Sequence, residues 1–377
     1  MDKKITYQPI LINEKGILKL KKEHPEITVV DELRLNAEQL FLLRNPRYRF
    51  DKNYQSAFES FFADLRGNPS ANGFGNWFYF PWLNTLVKYL PEDLHFELRT
   101  GRNKYLISET EQKKFYNSTV VFLGLSVGSH AALVSAMTGG AKHMKLADPD
   151  NLSGDNLNRV RTGFQNVGLN KTVIVARQAY EINPYAKIEI YEKGLTAENA
   201  EQILTGSDIV VEEMDNVYWK LRIRELARER GIPVVMATDN GDGVIVDIER
   251  YDINRNLPIL NGLAKGLTAE GLKNMPPKDL PKVAGKIAGA NLTVPRMLES
   301  VAEVGISLYS WPQLGTAANM AGSVLANLIR RIVNKKENIK SGRYSVNPDV
   351  VFESDYKRLW FRRKVAFVKF IRKMMKR

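Results

Sequence analysis

Residues 118–128 read STVVFLGLSVG, and residues 143–150 read HMKLADPD. The unbroken apolar run from Thr119 to Leu123 has the pattern of a strand buried on both faces, and Gly124 to Gly128 that of a tight turn. Ser129 to Thr138 then reads as a helix whose first amides face the turn, where an anion can sit. The Gly139-Gly140 pair stops that helix. The next strand delivers Asp148 about 20 residues after the turn, the position from which such folds hydrogen-bond a ribose hydroxyl. The stretch is the first half of a nucleotide-binding βαβ unit.

Downstream, helical and strand-like segments alternate. Residues 171–182 read as a helix, 187–191 as a strand, 197–204 as a short helix and 207–211 as a buried strand. A helix over 217–230 and a strand over 233–237 follow, then an antiparallel continuation over 243–251. This order predicts an α/β fold with a doubly wound, mostly parallel, Rossmann-like sheet. Residues 252–298 break the alternation with glycines and prolines, among them Met275 to Lys282, and suit a crossover or lid over a substrate site. Residues 316–333 read as a small-residue helix that packs closely.

Upstream, residues 1–116 read as an α+β accessory unit with an early strand, a helix over Asp31–Leu43 and a phenylalanine-rich helix over Tyr54–Leu65. Its aromatic run Gly73 to Trp82 is read as buried packing, with a substrate groove as the alternative. The expected division is therefore 1–116, a nucleotide-binding domain over 117–335 that includes the 252–298 crossover, and a C-terminal extension over 336–377.

Between the turn and residue 216 lie further motifs: Asp148-Pro149-Asp150, Asn156-Leu157-Asn158-Arg159, Lys171, Glu181-Ile182-Asn183-Pro184 and Met214-Asp215-Asn216. Two cations and an amide beside a nucleotide pocket exceed what a dinucleotide's pyrophosphate needs, whereas a triphosphate calls for such charge. In these ordered motifs the chain resembles the ubiquitin-activating-enzyme-like adenylating family that includes ThiF, MoeB, HesA and MccB. The resemblance covers about residues 100–335.

It implies attack of a substrate carboxylate on the α-phosphate of ATP. Lys171 and Arg159 would neutralise phosphates, Asn156 would donate to them, Asp148 would fix the ribose, and Asp215 would hold Mg2+. Gly124, Ser126 and Gly128 of the turn, with Asp150 and Asn216, complete the expected nucleotide site. Asp215 as the N-cap of the following helix is the structural alternative. The turn departs from the family's G-x-G-x-x-G, because Ser126 stands where backbone approaches phosphate. The resemblance also implies a homodimer in which Arg102, with Arg99 in reserve, reaches the neighbouring protomer's nucleotide; a solvated charge cluster is the alternative reading of both arginines. The implied substrate is the C-terminus of a small ubiquitin-like protein or peptide. A tRNA-modifying, carboxylate-activating relative is one alternative function, and an NAD-dependent oxidoreductase is another.

Composition bounds these readings. The chain has 377 residues, 44% of them hydrophobic, and no cysteine, so we expect no disulfide, no thiolate zinc site and no enzyme thioester. His24, His95, His130 and His143 lack metal-ligand spacing and are read as structural or solvated. No apolar stretch approaches 18 residues and the N-terminus has no hydrophobic signal, so we expect a cytoplasmic protein with no membrane span.

Of the net charge of +13, ten positive charges fall in residues 356–377, which contain no acid. There Leu359, Trp360, Phe361, Phe367, Phe370, Ile371 and Met374 recur at helical spacing. We read them as a stripe packed on the chain's own core, with an anionic membrane surface or an acidic partner as the alternative.

Overall fold

The computed structural model describes residues 5–67, 74–276, 279–289, 292–352 and 356–375. Gly73, Pro277, Lys278 and the last two residues, which belong to stretches singled out above, lie outside them, as do the side chains of Leu359 and Trp360. The chain divides into two units, residues 1–113 with 176–186, and residues 114–175 with 187–377.

The first unit holds a four-stranded sheet in the order β1-β3-β4-β2, formed by β1 (Ile10–Ile12), β2 (Thr28–Val30), β3 (Asn76–Phe80) and β4 (Thr85–Tyr89). Helices α1 (Glu14–Glu23), α2 (Leu33–Arg44), α3 (Tyr54–Gly67), α4 (Glu92–Thr100) and α5 (Glu109–Tyr116) accompany it. The aromatic run supplies β3, where the consecutive residues Phe78, Tyr79 and Phe80 are all buried, so both faces of the strand are covered. The Glu181-Ile182-Asn183-Pro184 motif also belongs to this unit. Trp82 Nε1 donates to Glu181 Oε1 at 2.6 Å, His95 Nε2 lies 3.3 Å from the Ile182 carbonyl, and Tyr185 packs edge-on against Phe78. Burial and the nearby Arg99 push the His95 imidazole down to about 4, which keeps it neutral.

The second unit is built on a seven-stranded sheet in the order β11-β10-β9-β8-β5-β6-β7. Its strands are β5 (Thr119–Leu123), β6 (His143–Ala147), β7 (Lys187–Tyr191), β8 (Ile209–Glu212), β9 (Val234–Asn240), β10 (Gly243–Glu249) and β11 (Gly342–Val346). Strands β5 to β9 run parallel, and β10 and β11 are antiparallel additions. The apolar run at 120–123 is wholly buried at the centre, which is why it shows no alternation. From β5 the chain winds outward through β6 and β7, then returns to place β8 on the other side of β5. The order therefore reverses between β5 and β8, and ligands of open α/β sheets bind at such a switch point, beyond the strands' carboxyl ends.

Helices α6 (Gly128–Met137), α7 (Lys171–Ile182) and α8 (Val217–Arg230) follow their strands, and α9 (Ala269–Lys273), α10 (Leu280–Ala288) and α11 (Pro295–Val301) form the 252–298 segment. The helix expected over 197–204 contracts to a 3-10 turn at Gln202–Leu204. In α12 (Gly315–Val333) the small residues serve close packing: a Cβ on Gly322 would come within 2.3 Å of the His130 side chain on α6. Beyond it, β11 pairs with β10 along Val244–Ile248, so part of the C-terminal extension completes the sheet.

After the short α13 (Asp349–Phe352), helix α14 (Tyr356–Met375) packs on α11. Ala366 is buried and Phe367 and Phe370 partly so, whereas Phe361, Ile371 and Met374 are exposed, so the expected apolar stripe is split between two surroundings. Lys373 donates to Glu303. Among the described residues no helix is long and apolar enough to cross a membrane.

Candidate active site

Gly124 has φ +83°, and a Cβ there would meet the Glu213 carbonyl oxygen at 2.5 Å. A side chain is thus excluded both by conformation and by the close approach of the two segments that leave β5 and β8. The turn is braced from below. Asp148, only 4% exposed, accepts from the Leu125 amide at 2.5 Å and from the Asp150 amide at 2.8 Å. Burial pushes its carboxyl up, while Lys171 and the two amides pull against that rise.

Above the turn opens a cavity of about 490 Å3. Of the residues expected in the nucleotide site, it is lined by Ser126, Asp150, Asn156, Arg159, Lys171 and Asp215. Lys171, at the start of α7, donates to Asp150 Oδ2 at 2.9 Å and lies 3.9 Å from Asp148 Oδ1. Arg159 is held in place by three acceptors, giving Nε to Ser126 Oγ at 3.1 Å and Nη1 to Asn158 Oδ1 and the Asp155 carbonyl. Ser126 therefore orients the guanidinium with the side chain that a family glycine would lack. Asn156 is buried and forms a capping box with Ser153 at the turn Gly154–Asn158.

The remaining expected residues stand elsewhere. Asp148 does not line the cavity, since its oxygens point at the turn's amides; the carboxylate after β6 that lines it is Asp150. Asn216 is the N-cap of α8, its Oδ1 accepting from the Trp219 amide at 3.1 Å, and it too is absent from the lining. The capping role considered for Asp215 thus falls to its neighbour, leaving Asp215 exposed on the cavity wall. Gly124 and Gly128 shape the turn without lining the cavity. Arg102 is exposed on the 3-10 turn Gly101–Asn103 of the first unit.

Several lining residues were missed in the sequence. Glu213 lies at the end of β8 with Oε1 accepting from the Ala237 amide at 2.7 Å, and burial raises its carboxyl well above the usual range despite Lys220. Asp239, 7% exposed on β9, is pushed up to about 6 by burial. The rule that exposed Asp215, a carboxylate at a strand's carboxyl end, applied one strand further along would have found Asp239. Gln313, Trp311 and the helix α10 residues Ala284, Ile287 and Ala288 close the remaining wall. Among the described residues no group of three or more His, Cys, Asp or Glu is placed to hold a metal ion.

The arrangement of turn, Asp-Pro-Asp, Asn-Leu-Asn-Arg and lysine around one cavity accords with comparison to known proteins, in which the ThiF family matches residues 100–359. The chain belongs to the ThiF family. It is 36% identical over 272 residues to uncharacterized protein MT1398 of Mycobacterium tuberculosis, covering 72% of this chain and 38% of that protein. It is 31% identical over 153 residues to the tRNA threonylcarbamoyladenosine dehydratase of Escherichia coli, with 40% of this chain and 56% of the relative covered. To the sulfur carrier protein adenylyltransferase of Thermus thermophilus it is 27% identical over 125 residues, covering 33% of this chain and 46% of the relative. The ThiF-family chain thus spans less than two thirds of the length of each of these relatives.

Proposed function

We propose that this ThiF-family protein activates a carboxylate by adenylation. A carboxylate oxygen of the substrate attacks the α-phosphorus of ATP, an O–P bond forms as the bond to the bridging oxygen breaks, and pyrophosphate leaves. One observation carries the reading: Ser126, Asp150, Asn156, Arg159, Lys171 and Asp215, drawn from separate motifs, line a single cavity at the sheet's switch point. Lys171 and Arg159 neutralise the phosphates, and Asn156 sits with them on the wall. The ribose role implied for Asp148 passes to Asp150, because the oxygens of Asp148 are engaged by the turn. A relative named as an adenylyltransferase supports the same chemistry.

Magnesium fits this donor set. Mg2+ keeps much of its water and takes one or two carboxylates together with substrate phosphate oxygens, so a dedicated protein cage is unnecessary. Asp215, exposed on the cavity, would hold it, and the ion would supply positive charge to the phosphates. The implied substrate is the C-terminus of a small protein or peptide, and the resemblance suggests a homodimer in which Arg102 of one protomer serves the other's nucleotide.

Calorimetry with ATP and magnesium against NAD tests the reading. ATP is expected to bind, with Lys171→Ala and Arg159→Ala each weakening it at least tenfold; binding of NAD but not ATP would overturn adenylation. Light scattering is expected to give twice the chain mass, and a single-chain mass with ATP binding intact would remove both the dimer and Arg102.

A tRNA-linked carboxylate is the second reading, favoured by the similarity to a tRNA dehydratase. Shift assays across a salt series decide it. RNA affinity that survives deletion of residues 356–377 supports this substrate, and affinity lost with the tail counts against it.

A further inference from the structure

A second cavity, of about 360 Å3, adjoins the first. The two share Asp155, Arg159, Asp239, Met297 and the strip Ser310–Gln313, while Arg296, Ser300, Leu308 and Leu314 line the second cavity without lining the first. In the shared wall stands Asp239. Its Oδ2 accepts from Gln313 Nε2 at 3.2 Å, but its buried Oδ1 has no hydrogen-bond partner among the described residues. Buried carboxylate oxygens are ordinarily satisfied, so this one is poised for a ligand that brings its own N–H or O–H donor. The adenylation machinery described above does not use it.

We propose that the second cavity binds a primary amine with an apolar body, and that Asp239 takes the amine's proton as it attacks the acyl-adenylate formed in the first cavity. The proposal rests on the adenylation reading. In this step an N–C bond forms at the acyl carbon while that carbon's bond to the adenylate oxygen breaks. AMP leaves with the bonding electron pair, and the proton passes from nitrogen to Oδ1 of Asp239. Met297, Leu308, Trp311, Pro312 and Leu314 supply the apolar surface for the amine's body.

Charged groups around Asp239 set the pH dependence. Arg159 favours the carboxylate form, burial opposes it, and the carboxyl lies at about 6. Asp155 and Arg296 share the second cavity, and Glu213 the first. Arg159 and Arg296 both line the second cavity and are the attraction for a competing carboxylate ligand.

Calorimetric titration of the full chain with benzylamine and with benzoate, at pH 5 and pH 8, tests the site. Benzylamine is expected to bind at pH 8 and to lose roughly tenfold at pH 5, because about a tenth of a group titrating near 6 remains ionised there. Asp239→Asn should weaken benzylamine at least tenfold at pH 8 and remove the pH dependence, and Ser300→Trp, which fills the cavity, should abolish binding. Undetectable benzylamine binding, tighter binding of benzoate, or no pH dependence in the wild type would each overturn the proposal, whether or not the variants fold. So would unchanged binding by a folded Asp239→Asn. A parallel ATP titration separates the two readings. Amine binding without ATP binding counts against adenylation, and ATP binding without amine binding counts against the acceptor site.

Discussion

Glu212 and Glu213 are adjacent at the end of one strand and live in opposite surroundings. β8 ends at Glu212, whose carboxylate is buried in the protein, and Glu213 just beyond the strand lines the cavity. Glu212, fully buried, accepts from Arg224 and Lys220 and from the Met214 amide. Arg224, itself fully buried, also gives Nε to Glu249, whose other oxygen accepts from Tyr251 Oη and the Leu260 amide. Burial pushes Glu212 up, but the two cations beside it outweigh that and hold it below its ordinary value. Glu213 is only half-buried on the cavity wall, with Lys220 and the Ala237 amide as its favourable partners, and desolvation still raises its carboxyl well above its ordinary value. A fully buried carboxylate bonded to two cations is structural, and a half-buried carboxyl without a bonded cation, facing a cavity, is available for function.

The largest test of that contrast is the pair Glu212→Gln and Glu213→Gln. The first leaves Arg224 and Lys220 short of a buried partner and is expected to cost about 3–5 kcal/mol in urea unfolding. The second removes a carboxyl whose charged form burial already disfavours and should change stability by less than about 1 kcal/mol. Equal losses would show that Glu213 is ionised and would erase the distinction.

Asp239 extends the comparison to pH. Its folded value of about 6 lies above that of an unfolded aspartate. Below about pH 4 the carboxyl is protonated in both states and nothing is lost. Between about 4 and 6 the unfolded chain ionises first, so stability falls as pH rises, and above 6 the loss is complete. Asp239→Asn should therefore raise stability by roughly 3 kcal/mol at pH 8 and leave it nearly unchanged at pH 4. Thermal melts at the two pH values check this, and a variant no more stable at pH 8 would place Asp239 with Glu212 among the satisfied charges.

The smallest effect sharpens the next pair along the chain. Asn216 caps α8 and Asp215 does not, so Asn216→Ala should cost about 1 kcal/mol and Asp215→Ala less than about 0.5. Magnesium-dependent ATP binding should show the reverse order, with the larger loss at Asp215. If both properties fail together in either variant, capping and ligand binding are not separable at this turn.

Much of the fold was legible because its signals are local. The apolar run at 119–123, the glycine turn and the alternation of helices and strands fix a parallel sheet, since each depends on burial and backbone geometry within a few residues. The motifs carrying Asp150, Asn156, Arg159, Lys171 and Asp215 were likewise visible, because they cluster near the carboxyl ends of successive strands. Two expected cavity residues stand elsewhere and one lining residue was missed, all for one reason. A strand-end residue's direction decides its role, and sequence does not display direction. Asp148 turned to the Leu125 amide of the glycine turn and to the Asp150 amide, Asn216 to its helix, and Glu213 to the cavity.

The residues alone were enough to show a doubly wound, mostly parallel α/β fold with the ThiF-family motifs. Tertiary structure alone decided what surrounds that pattern. Asp239 meets Gln313 across 74 positions of sequence, and β11 joins β10 after the whole crossover has intervened. Such pairings follow from strand order and long-range packing, in which no single segment carries the signal. The unsatisfied oxygen of Asp239 and the second cavity beside it arise only when those distant segments close around them.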